Sequence, residues 1–273
     1  MVVVDTHCHA SPYWFEPVEV LLDEMSRNGV DKAVLTQFFG VYDNSYLVEC
    51  MKRFPGRFSV IGLVDVNASD ALNHLESLHR QGVEGIRFNS AMRSPGSDPI
   101  AVWRKAADLG MVASVMGSVE SYAATEFENI LRELPHLKVV IEHLGGVGAY
   151  WGPGRSDQAI PHQTYQAVLG LARYPNTYMK IPGLGEFCAR PLPFQPPHPF
   201  EEVHSLIEMA VDAFGAERLM WGSDFPPVAN REGYTNALNL PRERLQARSQ
   251  QAVEWVFGKT AENMWKFGEG TGA

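Results

Sequence analysis

Cysteine is scarce in this sequence and basic clusters are missing. The 273 residues hold three cysteines, Cys8, Cys50 and Cys188, and no Cys-x-x-Cys, which excludes a disulfide framework and a zinc knuckle and predicts reduced thiols. Asp and Glu outnumber Lys and Arg by 32 to 23, a formal net charge of −9 at pH 7, and no basic run offers the stripe that neutralises phosphates. Nucleic acid and membrane are therefore not expected partners. Long apolar stretches are also missing: runs such as Phe58 to Val64 fall far short of the roughly 20 residues of a membrane span. Met1 leads directly into Val2-Val3-Val4 without the basic start of a signal peptide, so a soluble cytoplasmic protein is expected. No Gly-x-Gly-x-x-Gly follows the first apolar run, which argues against a doubly wound nucleotide-binding sheet.

What is present reads as an ordinary globular chain, 45% hydrophobic and 20% charged, with 24 Gly and 18 Pro. Short β-branched runs lie near Val2–Thr6, Lys32–Thr36, Ser59–Val64, Gly85–Phe88, Val112–Val115, Val139–Glu142, Tyr178–Ile181 and Leu219–Trp221. Segments of helical period separate them, near Val18–Asn28, Tyr46–Phe54, Ala71–Gln81, Ile100–Leu109, Phe127–Leu134, Tyr165–Arg173 and Phe200–Phe214, with a last one near Leu245–Phe257. Several helices end at a glycine followed by a new strand, as at Gly29, Gly82 and Gly110, the punctuation of repeated βα units. Eight such units predict one α/β domain over residues 1–273, a (β/α)8 TIM barrel, monomeric or homodimeric.

In that fold chemistry gathers where strands end. Asp5-Thr6-His7-Cys8-His9 closes the first strand, and alternation puts His7, His9 and Asp5 on one face with Cys8 on the other. Asp224, in Gly222-Ser223-Asp224-Phe225-Pro226, follows strand eight, which lies beside strand one in a closed barrel. His143 ends strand six in Glu142-His143-Leu144-Gly145-Gly146. Acid, base and hydrogen-bond donors thus converge on one mouth, with Asp5 assigned to structure. The loops after strands six and seven, which carry Arg155 and Arg190, are placed to wall a pocket.

With these residues in view, the chain resembles the amidohydrolase superfamily, in its amidohydrolase-2 branch, over essentially its whole length. Phe54-Pro55-Gly56-Arg57-Phe58, Gly85-Ile86-Arg87-Phe88-Asn89 and Phe214-Gly215-Ala216-Glu217-Arg218-Leu219-Met220 resemble the group of the 2-pyrone-4,6-dicarboxylate lactonases. One departure stands out. Metal-dependent members of the branch carry a further histidine after strand five, where this chain has Met116, a soft and weak ligand for zinc. A metal is left with His7, His9 and Asp224. The metal-free lactonase type implies instead that no cofactor is needed, with one divalent ion such as zinc as the alternative.

Without a metal, an ionised base must activate water and fixed donors must stabilise the oxyanion, demands that an activated lactone meets better than an amide. Asp224 is then the general base, while His9 and His143, supported by His7, orient it and polarise the carbonyl. The resemblance also implies that Arg87 and Arg93 hold substrate carboxylates, which suits guanidinium geometry. Asn89, Lys180, Arg190 and Tyr42 are further substrate-binding candidates. Tyr13, Trp14 and Phe15 form a candidate lid, and Tyr122 is a further candidate donor. The expected function is hydrolysis of a small anionic lactone in aromatic or sugar-acid catabolism. Two readings compete: a zinc-dependent non-oxidative decarboxylase, and a non-catalytic barrel that captures small acids.

Overall fold

In a computed structural model, residues 1–147, 162–187 and 201–268 are described, apart from the side chains of residues 201–204. Eight strands follow one another in sequence order: β1 (Val4–Cys8), β2 (Lys32–Thr36), β3 (Phe58–Gly62), β4 (Gly85–Asn89), β5 (Val112–Met116), β6 (Val139–Ile141), β7 (Thr177–Ile181) and β8 (Leu219–Trp221). Each pairs in parallel with the next, and helices separate them. This is the single (β/α)8 barrel expected. Strands and helices lie within a few residues of the expected positions, because parallel strands buried on both faces read as continuous apolar runs.

Alternation sorts the strand residues into two layers. Val4, Val34, Ile61, Val112, Val140 and Met220 fill the barrel interior, joined by Trp265 and Phe267 from the end of the chain. Leu35, Val60, Ile86, Phe88, Val115, Ile141, Met179 and Trp221 face outward into the helix layer. Phe88 stacks there on Trp103 of the helix Ala101–Asp108, with ring centroids 3.9 Å apart.

The barrel closes between β1 and the segment just past β8, through an isolated parallel bridge between Cys8 and Phe225. The Asp224 amide donates to the His7 carbonyl at 2.8 Å, and the His9 amide donates to the Phe225 carbonyl at 2.8 Å. A side chain at Gly222 would lie 2.5 Å from the His7 Cβ, so only glycine lets the two segments approach this closely.

Two expectations are corrected. Asp5 does not share a face with His7 and His9. Between Asp5 and Cys8, β1 spends three residues where β2 spends two, a bulge that reverses the alternation. Asp5 therefore turns toward the helix layer, accepting hydrogen bonds from the Ser223 amide and hydroxyl and from Tyr234. Its structural assignment fits this placement. The helix expected over Leu245–Phe257 is broken at Ser249, whose extended backbone and side chain cap the helix Gln250–Glu254. Before the break runs a helix not read from the sequence, Tyr234–Arg248, hidden by Pro241 in its interior. No helix among the described residues is long and apolar enough to cross a membrane.

Candidate active site

Above the apolar floor, the next inward position on most strands is polar. His7, Thr36, Arg87, Ser114, Glu142 and Lys180 are all buried at this level. His9, His143 and Asp224 stand above them, where the strands end. Asp224 and His143 both have left-handed backbones, with φ of 59° and 53°, a conformation that costs energy in residues with a side chain and concentrates at functional sites. The turn after β6 is compact because a side chain on Gly146 would lie 2.2 Å from the Gly117 carbonyl oxygen, which accounts for the second glycine of His-Leu-Gly-Gly.

Asp224 is the meeting point. One carboxylate oxygen lies 3.5 Å from His9 Nε2 and 3.8 Å from His7 Nε2. The other accepts from Arg231 Nη2 at 3.0 Å. Burial pushes its acidity toward the neutral form, but the His9 hydrogen bond and the charges of His143 and Arg231 prevail, holding Asp224 well below the usual carboxylate range.

The three histidines sit in three different environments. His9 Nδ1 donates to the Thr36 carbonyl at 2.6 Å, since a carbonyl can only accept, and its ring stacks on Phe15 at 5.4 Å. His143 Nδ1 lies 2.9 Å from the Glu186 carboxylate. Burial alone lowers the pKa of His143, but Glu186 outweighs it and leaves the pKa raised, favouring imidazolium. His7 is the reverse case: burial, then the charges of Lys180 and His143, push it well below the ordinary value and keep it neutral. Its Nδ1 lies 3.1 Å from Lys180 Nζ, and its Nε2 has no hydrogen-bond partner among the described residues.

Glu142 anchors the buried layer. One oxygen accepts from Arg87 Nη2 at 2.8 Å and Nε at 3.2 Å, and the other from the Ser114 hydroxyl at 2.6 Å. Burial works against its charge, but Arg87 and Lys180 overcome that and hold its pKa down to about 2. Lys180 donates to Ser114 Oγ at 2.9 Å, and burial lowers its pKa to about 8.

The structure brings Asp224, His7, His9, His143, Lys180 and Arg87 to one end of the barrel, but it does not join Arg87 to Arg93. Arg87 is engaged by Glu142, the Gln37 carbonyl at 3.0 Å and, more weakly, the Met116 sulfur at 3.7 Å. Arg93 donates to the carbonyls of Ser90, Met92 and Glu126, so its guanidinium ties a loop together. Asn89 accepts from the Ala91 amide, a turn contact. Tyr42, Tyr13 and Trp14 are exposed, and Tyr122 is buried with its hydroxyl on the Val115 carbonyl. Arg155 and Arg190 lie outside the described residues. Glu142, Ser114, Glu186 and Arg231 were missed in the sequence. The signal for the first two was available: Glu142 and Ser114 share the inward parity of Arg87 and Lys180.

Among the described residues, His7, His9 and Asp224 form one group with metal-ligand spacing, and His7, Glu142 and His143 another. In the second, Arg87 and Ser114 already occupy Glu142. In the first, His7 has its Nδ1 on a lysine amine, 3.1 Å away. A histidine that accepts at Nδ1 carries its proton on Nε2, the atom a metal would need. While Lys180 donates to His7 Nδ1, this set lacks the His7 lone pair and does not fit a cation, although its spacing does.

The model of the amidohydrolase family, described as "Amidohydrolase", matches residues 4–267, and the chain belongs to that family as a (β/α)8 hydrolase. It is 27% identical over 216 residues to an L-fucono-1,5-lactonase of Burkholderia ambifaria, covering 74% of this chain and 67% of that protein. Among solved structures, the probable 2-pyrone-4,6-dicarboxylic acid hydrolase of Acinetobacter baumannii with citric acid bound superposes with a TM-score of 0.75 at 19% identity, covering 98% of this chain and 100% of that one. An amidohydrolase of Burkholderia multivorans with zinc bound gives 0.78 at 18% identity, covering 97% and 99%.

Proposed function

We propose that this chain hydrolyses a lactone bearing a carboxylate or similar anionic group, of the kind met in the breakdown of aromatic or sugar acids. The observation that carries the reading is the meeting of an ionised Asp224 with His7 and His9 at the β8–β1 seam, beside a His143 whose imidazolium form Glu186 favours. The lactone activity of the fuconolactonase relative and the dicarboxylic acid hydrolase fold support it.

In this mechanism Asp224 accepts a proton from water as the water oxygen bonds to the lactone carbonyl carbon. The Nε2 side of His143, with His7 in support, stabilises the developing oxyanion. As the tetrahedral intermediate collapses, the ring C–O bond breaks and Asp224 returns its proton to the leaving oxygen, giving a hydroxy acid. A carboxylate held this strongly ionised is a weak base, so the substrate must supply the electrophilicity, which favours an ester over an amide. For the anionic group, Arg87 Nη2 is the candidate donor, because its contact with the exposed Met116 sulfur is weak and easily replaced.

The spacing of His7, His9 and Asp224 favours one second reading, a zinc-dependent decarboxylase. A hydrolysis screen of lactones with and without a carboxylate, run with and without added zinc and read by proton release, separates the two. Turnover of acidic lactones without zinc is expected. Zinc-dependent loss of carbon dioxide from an aromatic acid, with no lactone opened, would replace the proposal.

A further inference from the structure

The inward layer of the barrel contains a buried lysine that the hydrolytic cycle above does not use. Lys180 is 1% exposed, and among the described residues its nitrogen lies close to three polar side chains, Ser114, Glu142 and His7. The Ser114 hydroxyl sends its one proton to Glu142 at 2.6 Å, so toward Lys180 it offers only its oxygen, at 2.9 Å. Glu142 itself lies 3.8 Å from Nζ. The third of these is His7 Nδ1, at 3.1 Å. An ammonium has three protons to donate and no lone pair to accept with.

We infer that Lys180 is a tautomer-setting residue, which holds His7 with its proton on Nε2 and so makes that ring a hydrogen-bond donor to the mouth instead of a metal ligand. Three observations meet in this assignment. Nδ1 is occupied by a donor, so a neutral ring must carry its proton on Nε2. That Nε2 is buried and has no hydrogen-bond partner among the described residues, as expected of a donor reserved for a bound molecule. It faces the same space as His9 Nε2 and Asp224, which lies 3.8 Å away. A metal needs a lone pair at that position; a lactone carbonyl needs a proton there.

Removing the amine lets the ring turn over its proton. Glu142 is the acceptor waiting on that side, 3.8 Å from His7 Nδ1, and a ring protonated on Nδ1 presents its Nε2 lone pair to His9 and Asp224. The Lys180→Met variant is therefore expected to acquire the three-ligand metal site that the parent lacks. The residue acts through His7 and is a positioning residue. Its role as a setter of an oxyanion donor rests on the lactonase reading, whereas its role in the tautomer does not.

Long-range proton–nitrogen NMR on nitrogen-labelled protein, with His7 assigned through His7→Gln, reads the tautomer directly. The unmodified protein is expected to show His7 protonated on Nε2, and Lys180→Met to show it protonated on Nδ1. Titration with cobalt(II), followed by its visible absorption, is expected to give tetrahedral binding at one equivalent in Lys180→Met and at least tenfold weaker binding in the unmodified protein. A His7 protonated on Nδ1 in the unmodified protein, or cobalt bound there as tightly as in the variant, would overturn the assignment. Should Lys180→Met fail to fold, the spectrum of the unmodified protein still decides. Neither measurement reads turnover, so a failed lactone screen and a failed tautomer assignment remain distinct results.

Discussion

Arg87 and Glu142 face each other across β5: two nitrogens of the guanidinium close on one carboxylate oxygen at 2.8 and 3.2 Å, with both side chains buried. A buried pair of this kind is weak evidence of net stabilisation, yet it is costly to break by halves, because the charge left behind has no water to receive it.

Arg87→Leu is accordingly expected to destabilise the fold by about 3–5 kcal/mol, and the double variant Arg87→Leu with Glu142→Leu to recover part of that loss. Urea denaturation of the single and double variants measures the difference. Equal destabilisation in both would show that the arginine matters for packing and not for the charge on Glu142.

Asp224→Asn keeps shape and hydrogen-bonding capacity while removing the base. Hydrolysis is expected to fall on the order of 10²–10⁴-fold with the circular dichroism spectrum unchanged. Steady-state kinetics on any lactone found in the screen provides the check. Full activity in the variant would remove Asp224 from the chemistry.

The pH dependence of stability carries the signature of His143. Its pKa is raised in the folded protein once Glu186 outweighs burial, so the folded state binds the proton more tightly. The resulting stabilisation is complete below the unfolded value of about 6.5 and is lost as pH rises through the higher folded value. His7, depressed by burial and by Lys180, works in the opposite sense and costs stability as pH falls below that range. Subtracting the unfolding free energy of His143→Gln from that of the parent isolates the first effect. The difference is expected to be largest near pH 6 and to shrink toward alkaline pH; a difference that grows with pH contradicts the assignment.

Gly222→Ala tests the seam. Its new methyl would have to occupy the position 2.5 Å from the His7 Cβ and 2.8 Å from the His7 nitrogen, and overpacking of this kind costs about 1–3 kcal/mol. Thermal denaturation is expected to show the loss, and activity to fall further than stability does, because Asp224 and His7 move apart together. Unaltered kinetics in a destabilised variant would separate the seam from the catalytic geometry.

The candidate site was partly legible because strand ends are where a barrel gathers its chemistry, so His7, His9, His143 and Asp224 could be named from position alone. Asp5 was misplaced on their face because alternation assumes an unbroken strand, and the bulge between Asp5 and Cys8 is set by pairing with β2. Glu142 was passed over as the last residue of an apolar run; its importance appears only once Arg87, from a strand two places away, is seen to end on it. The resemblance implied that Arg87 and Arg93 act as a pair, yet one side chain enters the barrel and the other binds loop carbonyls.

The order of strands and helices, the burial of the apolar runs and the set of groups able to act at the mouth were determined by the amino-acid sequence, because periodicity and strand position are local properties. Which of those groups hold protons, which are charged and which face one another was decided only by the tertiary structure. Those properties depend on neighbours brought in from distant strands, as when Lys180 meets His7, 173 residues away, inside a layer closed to water.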